Sequence, residues 1–260
     1  DLSVKADPAG WAMRLGGRAL STGTVRLDRL DGPVTALPGF ETGEWWVQDA
    51  AAAIPARLLS DIAGRRVADL CAAPGGKTAQ LAAAGARVTA FDISASRLKR
   101  LNGNLQRLGL EVETRLGDIR EIAPEPFDAV LLDAPCSSTG TIRRHPDVGW
   151  TKSAEEVEKL ARVQTGLLDR AAEFVAPGGR LVFSNCSLDP AEGEAVVEAF
   201  LASRPEFSRE PVAPHELPGL ETAIDARGDV RTTPDMEFGA AEGAVPGLDG
   251  FFAARLRRNP

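Results

Sequence analysis

The sequence predicts an α/β protein, a mostly parallel sheet with helices packed on both faces. Three observations carry that reading. From Arg65 onward, short apolar runs alternate with segments of helical period, the pattern of linked strand–helix–strand units. The first run, Val67-Ala68-Asp69-Leu70-Cys71, opens into a glycine-rich loop, Ala72-Ala73-Pro74-Gly75-Gly76. Two later runs, Leu131-Leu132-Asp133-Ala134-Pro135-Cys136 and Leu181-Val182-Phe183-Ser184-Asn185-Cys186, pass directly from buried strand to polar tip and deliver a cysteine there. In an open parallel sheet, ligands bind outside the carboxyl ends of the strands. If these two strands are neighbours, their backbones lie about 4.8 Å apart, and both thiols reach one small substrate.

The elements follow in order. Residues 1–43 are rich in Gly and Pro, with short alternating runs such as Gly23-Thr24-Val25-Arg26-Leu27, and read as a small appended piece. Trp45-Trp46-Val47-Gln48-Asp49 leads into an alanine-rich stretch that predicts a helix through Leu59. After the first strand, a helix runs from Lys77 to about Ala84, and Arg87–Asp92 is the second strand. Leu98, Leu101, Leu105 and Leu108, at spacings of three and four, mark one face of the next helix. Val112–Leu116 and Ala129–Asp133 are the third and fourth strands. A long helix covers about 154–175 with Val157, Leu160, Val163, Leu167 and Phe174 inward, and Pro177-Gly178-Gly179 stops it. Arg180–Ser184 is the fifth strand, a helix covers about 192–203, and Gly250–Leu256 is a late strand.

Composition sets bounds. A chain of 260 residues, 43% hydrophobic and 26% charged, suits one large domain with a modest appendage. No stretch approaches the roughly 18 apolar residues of a membrane helix, and the N-terminus lacks a basic-then-apolar signal pattern. The three cysteines lie far apart and form no CxxC pair, which argues against a disulfide framework or zinc site and suits a reducing cytosol. Cytoplasmic location, no metal and no membrane partner are the expectations. The net charge of −7 opposes broad attraction to nucleic acid. The chain begins at Asp1 without a methionine, so a piece of a longer protein is expected.

The loops narrow the ligand. A glycine-rich turn backed by a helix N-terminus presents backbone NH groups to a polar ligand. The dinucleotide fingerprint G-x-G-x-x-G is missing here. Gly76-Lys77-Thr78 matches the end of a phosphate loop, but Cys71 stands where its first glycine belongs; a P-loop ATPase is the first alternative. Asp92, roughly 20 residues beyond the loop, is placed to hold ribose hydroxyls. Asp118 at the next strand-end is placed toward the adenine side. Acidic strand-ends suit a nucleoside carrying positive charge, such as S-adenosylmethionine, and suit a triphosphate poorly.

Two thiols on one pyrimidine imply specific chemistry. Cytosine C5 is too weak a nucleophile to take a sulfonium methyl group. A thiolate added to C6 makes C5 enamine-like, and loss of the C5 proton with the thiolate restores aromaticity. A free thiol has a pKa of about 8.5, so the nucleophile needs an activating environment. The base must also leave its stack, at a cost of a few kcal/mol. The residues leave open which cysteine attacks. Cys71, by contrast, reads as a small buried hydrophobe.

At these residues the sequence resembles the RNA cytosine-5 methyltransferases of the Nop2/NSUN/Sun group, most closely the bacterial Sun/RsmB type that acts on small-subunit ribosomal RNA. The resemblance covers roughly residues 40–260. It rests on Asp69–Thr78, Asp92-Ile93-Ser94 with Arg97, Asp133-Ala134-Pro135-Cys136-Ser137 continuing to Arg143-Arg144-His145-Pro146-Asp147, Asn185-Cys186-Ser187-Leu188 before Glu192 and Glu194, and Asp249-Gly250-Phe251-Phe252. Gln48-Asp49 resembles the motif ahead of the first strand. The resemblance implies a class I S-adenosylmethionine-dependent methyltransferase fold, Rossmann-like, with a seven-stranded, mostly parallel sheet in which the Phe251-Phe252 strand is antiparallel. It implies Cys186 as nucleophile on C6, Cys136 as the aid to product release, and Asp133 at the base edge near the methyl donor. It implies that Cys71, Ala72, Ala73, Pro74, Gly75, Gly76 and Lys77, with Asp92, Arg97, Asp118 and Asp133, hold S-adenosylmethionine. The implied partner is ribosomal RNA, and a monomer is expected.

The family usually has threonine at Asn185, a change expected to be tolerated. It also usually begins with a helical, NusB-like RNA-binding domain; residues 1–43 are expected to be the remnant of an RNA-recognition-like segment, and 44–260 the catalytic domain. Arg143, Arg144, His145 and Lys152 after Cys136, with Arg255, Arg257 and Arg258, are candidate phosphate contacts. Neither His145 nor His215 carries a catalytic pattern. The second alternative is a non-catalytic RNA-binding or assembly factor on the same fold.

Overall fold

The computed structural model describes residues 1–240 and 243–260, and along 238–245 only the backbone of those. Strands β1 (Leu2–Val4), β2 (Arg18–Ala19), β3 (Thr24–Arg26) and β4 (Trp45–Val47) form an antiparallel sheet of order β2-β3-β1-β4. Helix α1 (Pro8–Leu15) lies against it, started by the Asp7 carboxylate accepting from Gly10 N and stopped by left-handed Gly16. Leu2, Trp11, Val25 and Trp45 form its apolar centre. The sheet crosses the boundary expected at residue 43, because Trp45 is fully buried in that centre.

The alanine-rich stretch is not the helix expected of it. Only α2 (Ile54–Arg57) is helical, since residues 50–53 turn instead and Pro55 sits in its first turn. Beyond it come β5 (Arg66–Leu70), α3 (Gly76–Ala83), β6 (Arg87–Asp92), α4 (Ala95–Leu108), β7 (Glu113–Leu116) and β8 (Phe127–Asp133). Then follow α5 (Val148–Thr151), α6 (Ala154–Ala172), β9 (Val175–Asn185), α7 (Glu194–Ser203), β10 (Phe207–Arg209) and β11 (Val230–Thr232). A hairpin of β12 (Glu237–Ala240) and β13 (Gly243–Pro246) precedes β14 (Phe251–Arg258).

The main sheet has the order β10-β14-β9-β8-β5-β6-β7, with β11 added on β14. The pairs among β5 to β9 are parallel, and β14 runs antiparallel to β9, β10 and β11. The antiparallel place of Phe251-Phe252 is therefore as expected, while β11 is an addition to the seven strands. Alternation along the strands sends Val67, Leu131 and Val182 to the face covered by α2 and α3. Leu70, Leu132 and Phe183 point to the face covered by α6 and α7. The four spaced leucines of α4 are all buried, against Ala79 and Ala90. Helix α6 ends at Ala172, earlier than expected, and Pro177-Gly178-Gly179 lies inside β9 as a bulge. Among the described residues no helix is long and apolar enough to cross a membrane.

Candidate active site

Strands β8 and β9 are adjacent and in register at Asp133–Ser184, and Ala134 N donates to Ser184 O. That register carries two cysteines to one place: Cys136 and Cys186 Sγ lie 3.5 Å apart. Ser138, in left-handed conformation, brings its Oγ within 3.6 Å of Cys186. The environment separates the two thiols. The hydrogen bond with Cys136, helped by Ser138 and the Lys77 charge, holds Cys186 below the ordinary thiol value, although burial opposes it. Cys136 is pushed well up by that same bond, by burial and by the Cys186 charge. Burial and the carboxylates of Asp133, Asp92 and Asp69 push Cys71 up to about 12, so it stays a thiol.

Asp133 sits between the cysteines and the loop after β5. Its Oδ2 accepts from Lys77 Nζ at 2.7 Å and its Oδ1 from Ser184 Oγ at 2.9 Å. The Lys77 ammonium also stands 4.8 Å from the centre of the Phe251 ring. Thr78 is buried and donates to Asp69. With Lys77 held by Asp133 and Thr78 turned inward, the Gly76-Lys77-Thr78 segment is not arranged as a phosphate and magnesium site, and the ATPase reading falls.

A cavity of about 520 Å³ opens at the ends of β5, β6, β7 and β8; Cys71, Asp92, Arg97, Asp118, Asp133, Cys136 and Cys186 all line it. Asp92 is held by Ala73 N at 3.1 Å and Ser94 N at 2.9 Å. Arg97 lies 3.7 Å from Asp92 and donates to Ala73 O, so it fastens the loop. Asp118 accepts from Arg120 Nε at 2.9 Å, and that hydrogen bond keeps its carboxyl below the usual range. Ala73 and Pro74 face this cavity, whereas Ala72, Gly75, Gly76 and Lys77 line a second one of about 410 Å³, shared only at Ala73, Pro74 and Asp133. The split follows from the turn at left-handed Gly75: its α-carbon faces Leu101, and that of Gly76 faces Gln48.

Pattern reading missed several contributors. Ile93, 64% exposed beside Asp92, and Val163 and Leu167 of α6 line the larger cavity. The exposed apolar side chain at Ile93 is the one local signal among them; nothing in local sequence ties α6 to this pocket. Asn185 accepts from Ser187 N and donates to Glu192 O, so it keeps the acceptor that a threonine would offer there.

The basic residues are mostly committed. Arg143 bonds Asp49 and Asp249, and Arg144 bonds Asp249. Lys152 bonds Glu156, and buried Arg255 bonds Glu216. Arg257 pairs with Arg180, at the end of β14 away from Asn185. Because β14 runs antiparallel to β9, its C-terminal arginines lie toward the opposite end of the strands from the cysteines.

Asp69 gives a pH signature. Its Oδ1 is buried without a hydrogen-bond partner, and burial pushes the carboxyl up to about 7. The folded chain thus holds a proton that the unfolded chain releases near pH 4. This group's contribution to stability is complete below that pH and falls by up to about 1.4 kcal/mol per unit until ionisation near 7. Asp69→Asn removes that slope, so its melting temperature relative to the parent is expected to rise between pH 5 and pH 8. An equal offset at both pH values rejects this.

A family model described as 16S rRNA methyltransferase RsmB/F matches residues 56–257. Ribosomal RNA small subunit methyltransferase B of Cronobacter sakazakii is 40% identical over 238 residues, covering 89% of this chain and 51% of that protein. Its namesake from Klebsiella pneumoniae (strain 342) is 41% identical over 235 residues, 87% of this chain and 50% of that one. The chain spans about half the length of the curated relatives it matches. Among solved structures, NSun6 from Pyrococcus horikoshii with SFG superposes at TM-score 0.72 with 26% identity, covering 88% of this chain and 57% of that one. A methyltransferase homolog protein from Pyrococcus horikoshii gives 0.78 and 29%, covering 99% and 85%. The fold is that of the class I S-adenosylmethionine-dependent methyltransferases, and the chain belongs to the RsmB/F family of 16S rRNA methyltransferases.

Proposed function

We propose that this protein methylates C5 of a cytosine in small-subunit ribosomal RNA through a covalent Cys186–C6 adduct, with S-adenosylmethionine as donor. The single observation that carries the reading is the pair of thiols 3.5 Å apart on the cavity that Asp92 and Asp118 also line. The cavity fits the donor: a carboxylate for ribose hydroxyls at Asp92, exposed Ile93 for a flat base, and Asp133 on the side toward the cysteines. Bound there, S-adenosylmethionine supplies an electrophilic methyl group.

The protein's own groups do the rest. Cys186, held toward its thiolate, attacks C6; the Sγ–C6 bond forms and the C5–C6 electron pair moves to C5, which takes the methyl group. Asp133, fixed by Lys77 and Ser184, presents an acceptor to the amino edge of the ring. Once Cys186 is bonded to carbon, Cys136 loses the hydrogen bond and the neighbouring charge that raised it. Cys136 then becomes more acidic and gives its proton to solvent; as a thiolate it takes the C5 proton, the C5–H pair re-forms the C5–C6 double bond, and the Sγ–C6 pair returns to the Cys186 sulfur. We take the sheet of β1 to β4 with α1 as the RNA-recognition-like piece preceding the catalytic domain.

The test is direct. The chain is incubated with methyl-labelled donor and RNA from a strain lacking the modification, and the labelled base is mapped. Label on cytosine C5 in small-subunit RNA is expected; label on adenine, or on protein alone, overturns the proposal. A second expectation concerns Asp92. Removing its carboxylate in Asp92→Ala should weaken S-adenosylhomocysteine binding at least about tenfold, the value of one charged hydrogen bond. Calorimetry showing an unchanged Kd would detach Asp92 from the ribose.

A further inference from the structure

Glu192 is fully buried in a three-residue turn between β9 and α7, and a buried carboxylate must be met by donors. Its Oε1 accepts from Ser137 N at 2.9 Å and from Gln164 Nε2 at 2.9 Å. Its Oε2 accepts from Ser187 Oγ at 2.6 Å and from Ser137 Oγ. Ser137 and Ser187 are each the residue directly after one of the two cysteines, and their hydroxyls lie 3.2 Å apart. Both serines are fully buried, as is Gln164, which also donates to Pro135 O, the residue before Cys136. One carboxylate therefore gathers the backbone on either side of Cys136 and the residue after Cys186.

We propose that Glu192 is a positioning residue of the reaction: by clamping Ser137 and Ser187 it sets the separation at which Cys136 and Cys186 share a hydrogen bond. This rests on the two-cysteine reading of the site. Without the clamp each loop is free to relax by a fraction of an ångström, enough to lose a hydrogen bond between sulfur atoms. A charged acceptor is suited to this task, because four donors converge on it and an amide would turn one of its own donors toward them.

Thiol chemistry tests the proposal without RNA or methyl donor, so its outcome is separable from that of the methyl-transfer assay. In the 260-residue chain, iodoacetamide alkylation of Cys186 is followed against pH by peptide mass spectrometry, for the parent and for Glu192→Gln. Asp133, Lys77 and Arg144, whose charges act on Cys186, are unchanged in the variant, and loss of the Glu192 charge, which pushes Cys136 up, works by itself against the expected rise. The alkylation midpoint is expected to rise by about one pH unit, a roughly tenfold slower reaction near pH 7. A folded variant whose midpoint equals the parent's reduces Glu192 to a structural staple and overturns the proposal. Should Glu192→Gln not fold, a Ser137→Ala, Ser187→Ala chain decides by the same measurement, with the same shift supporting the clamp and an unmoved midpoint rejecting it.

Discussion

A chain carrying Cys136→Ala is expected to stall with RNA covalently attached to Cys186. In the proposed mechanism the two sulfur atoms, 3.5 Å apart, divide the labour: Cys186, held toward thiolate, opens the reaction and Cys136 closes it. Without Cys136, attack on C6 slows with the loss of the hydrogen bond that holds Cys186 toward thiolate but still proceeds with methyl transfer, while elimination slows more, by roughly 10²–10⁴-fold, the usual worth of a positioned acid–base group. Methyl incorporation should stop near one per protein, and a denaturing gel should show the protein shifted by its RNA. Cys186→Ala should give neither adduct nor methylation, and the double variant should match it. Sustained methylation by Cys186→Ala would reverse the assignment of the nucleophile. Parent-rate turnover by Cys136→Ala with no adduct would remove Cys136 from the reaction.

The next largest effect is expected at Asp133. Its two oxygens are committed to Lys77 and Ser184, so the carboxylate is aimed before any substrate arrives. Asp133→Ala should lower kcat by roughly 10²–10³-fold, the cost of deleting one preorganised polar group at a reacting centre. It also leaves the buried Lys77 ammonium without its partner, so the melting temperature should fall as well. Asp133→Asn keeps one acceptor oxygen, for Ser184 or for Lys77 but not for both, and should recover part of the stability with little of the turnover. Full turnover in Asp133→Asn would show that the negative charge of Asp133 is not needed at the ring.

Local pattern was enough where the structure repeats a period. The leucines of α4 and the apolar runs of β5, β6, β8 and β9 were legible because burial imposes spacing on the residues themselves. The meeting of Cys136 and Cys186 was legible too, as a consequence of two adjacent parallel strands ending in the same residue type. The small sheet was not, because its strands are two or three residues long and pair across as many as 45 positions. The alanine-rich stretch misled because alanine favours a helix wherever nothing else decides, and here the chain must turn to seat Ile54 and Leu58 in the core. The bulge in β9 looked like a stop because Pro-Gly-Gly carries the same local signal in either place. Glu192 and the Lys77–Asp133 bond link residues up to 56 positions apart, and no period announces such a partner.

Gly140 and Gly250 meet beside the cysteines. Gly140 N donates to Cys186 O and Gly250 N donates to Gly140 O, and a methyl group at position 140 would fall 2.0 Å from Gly250 O and 2.8 Å from Cys186 O. Three peptide segments from distant parts of the chain are thus stacked with no room for a spacer. Drift at any one of these positions would have to be matched at the other two, so lineages should vary them in concert or leave all three alone.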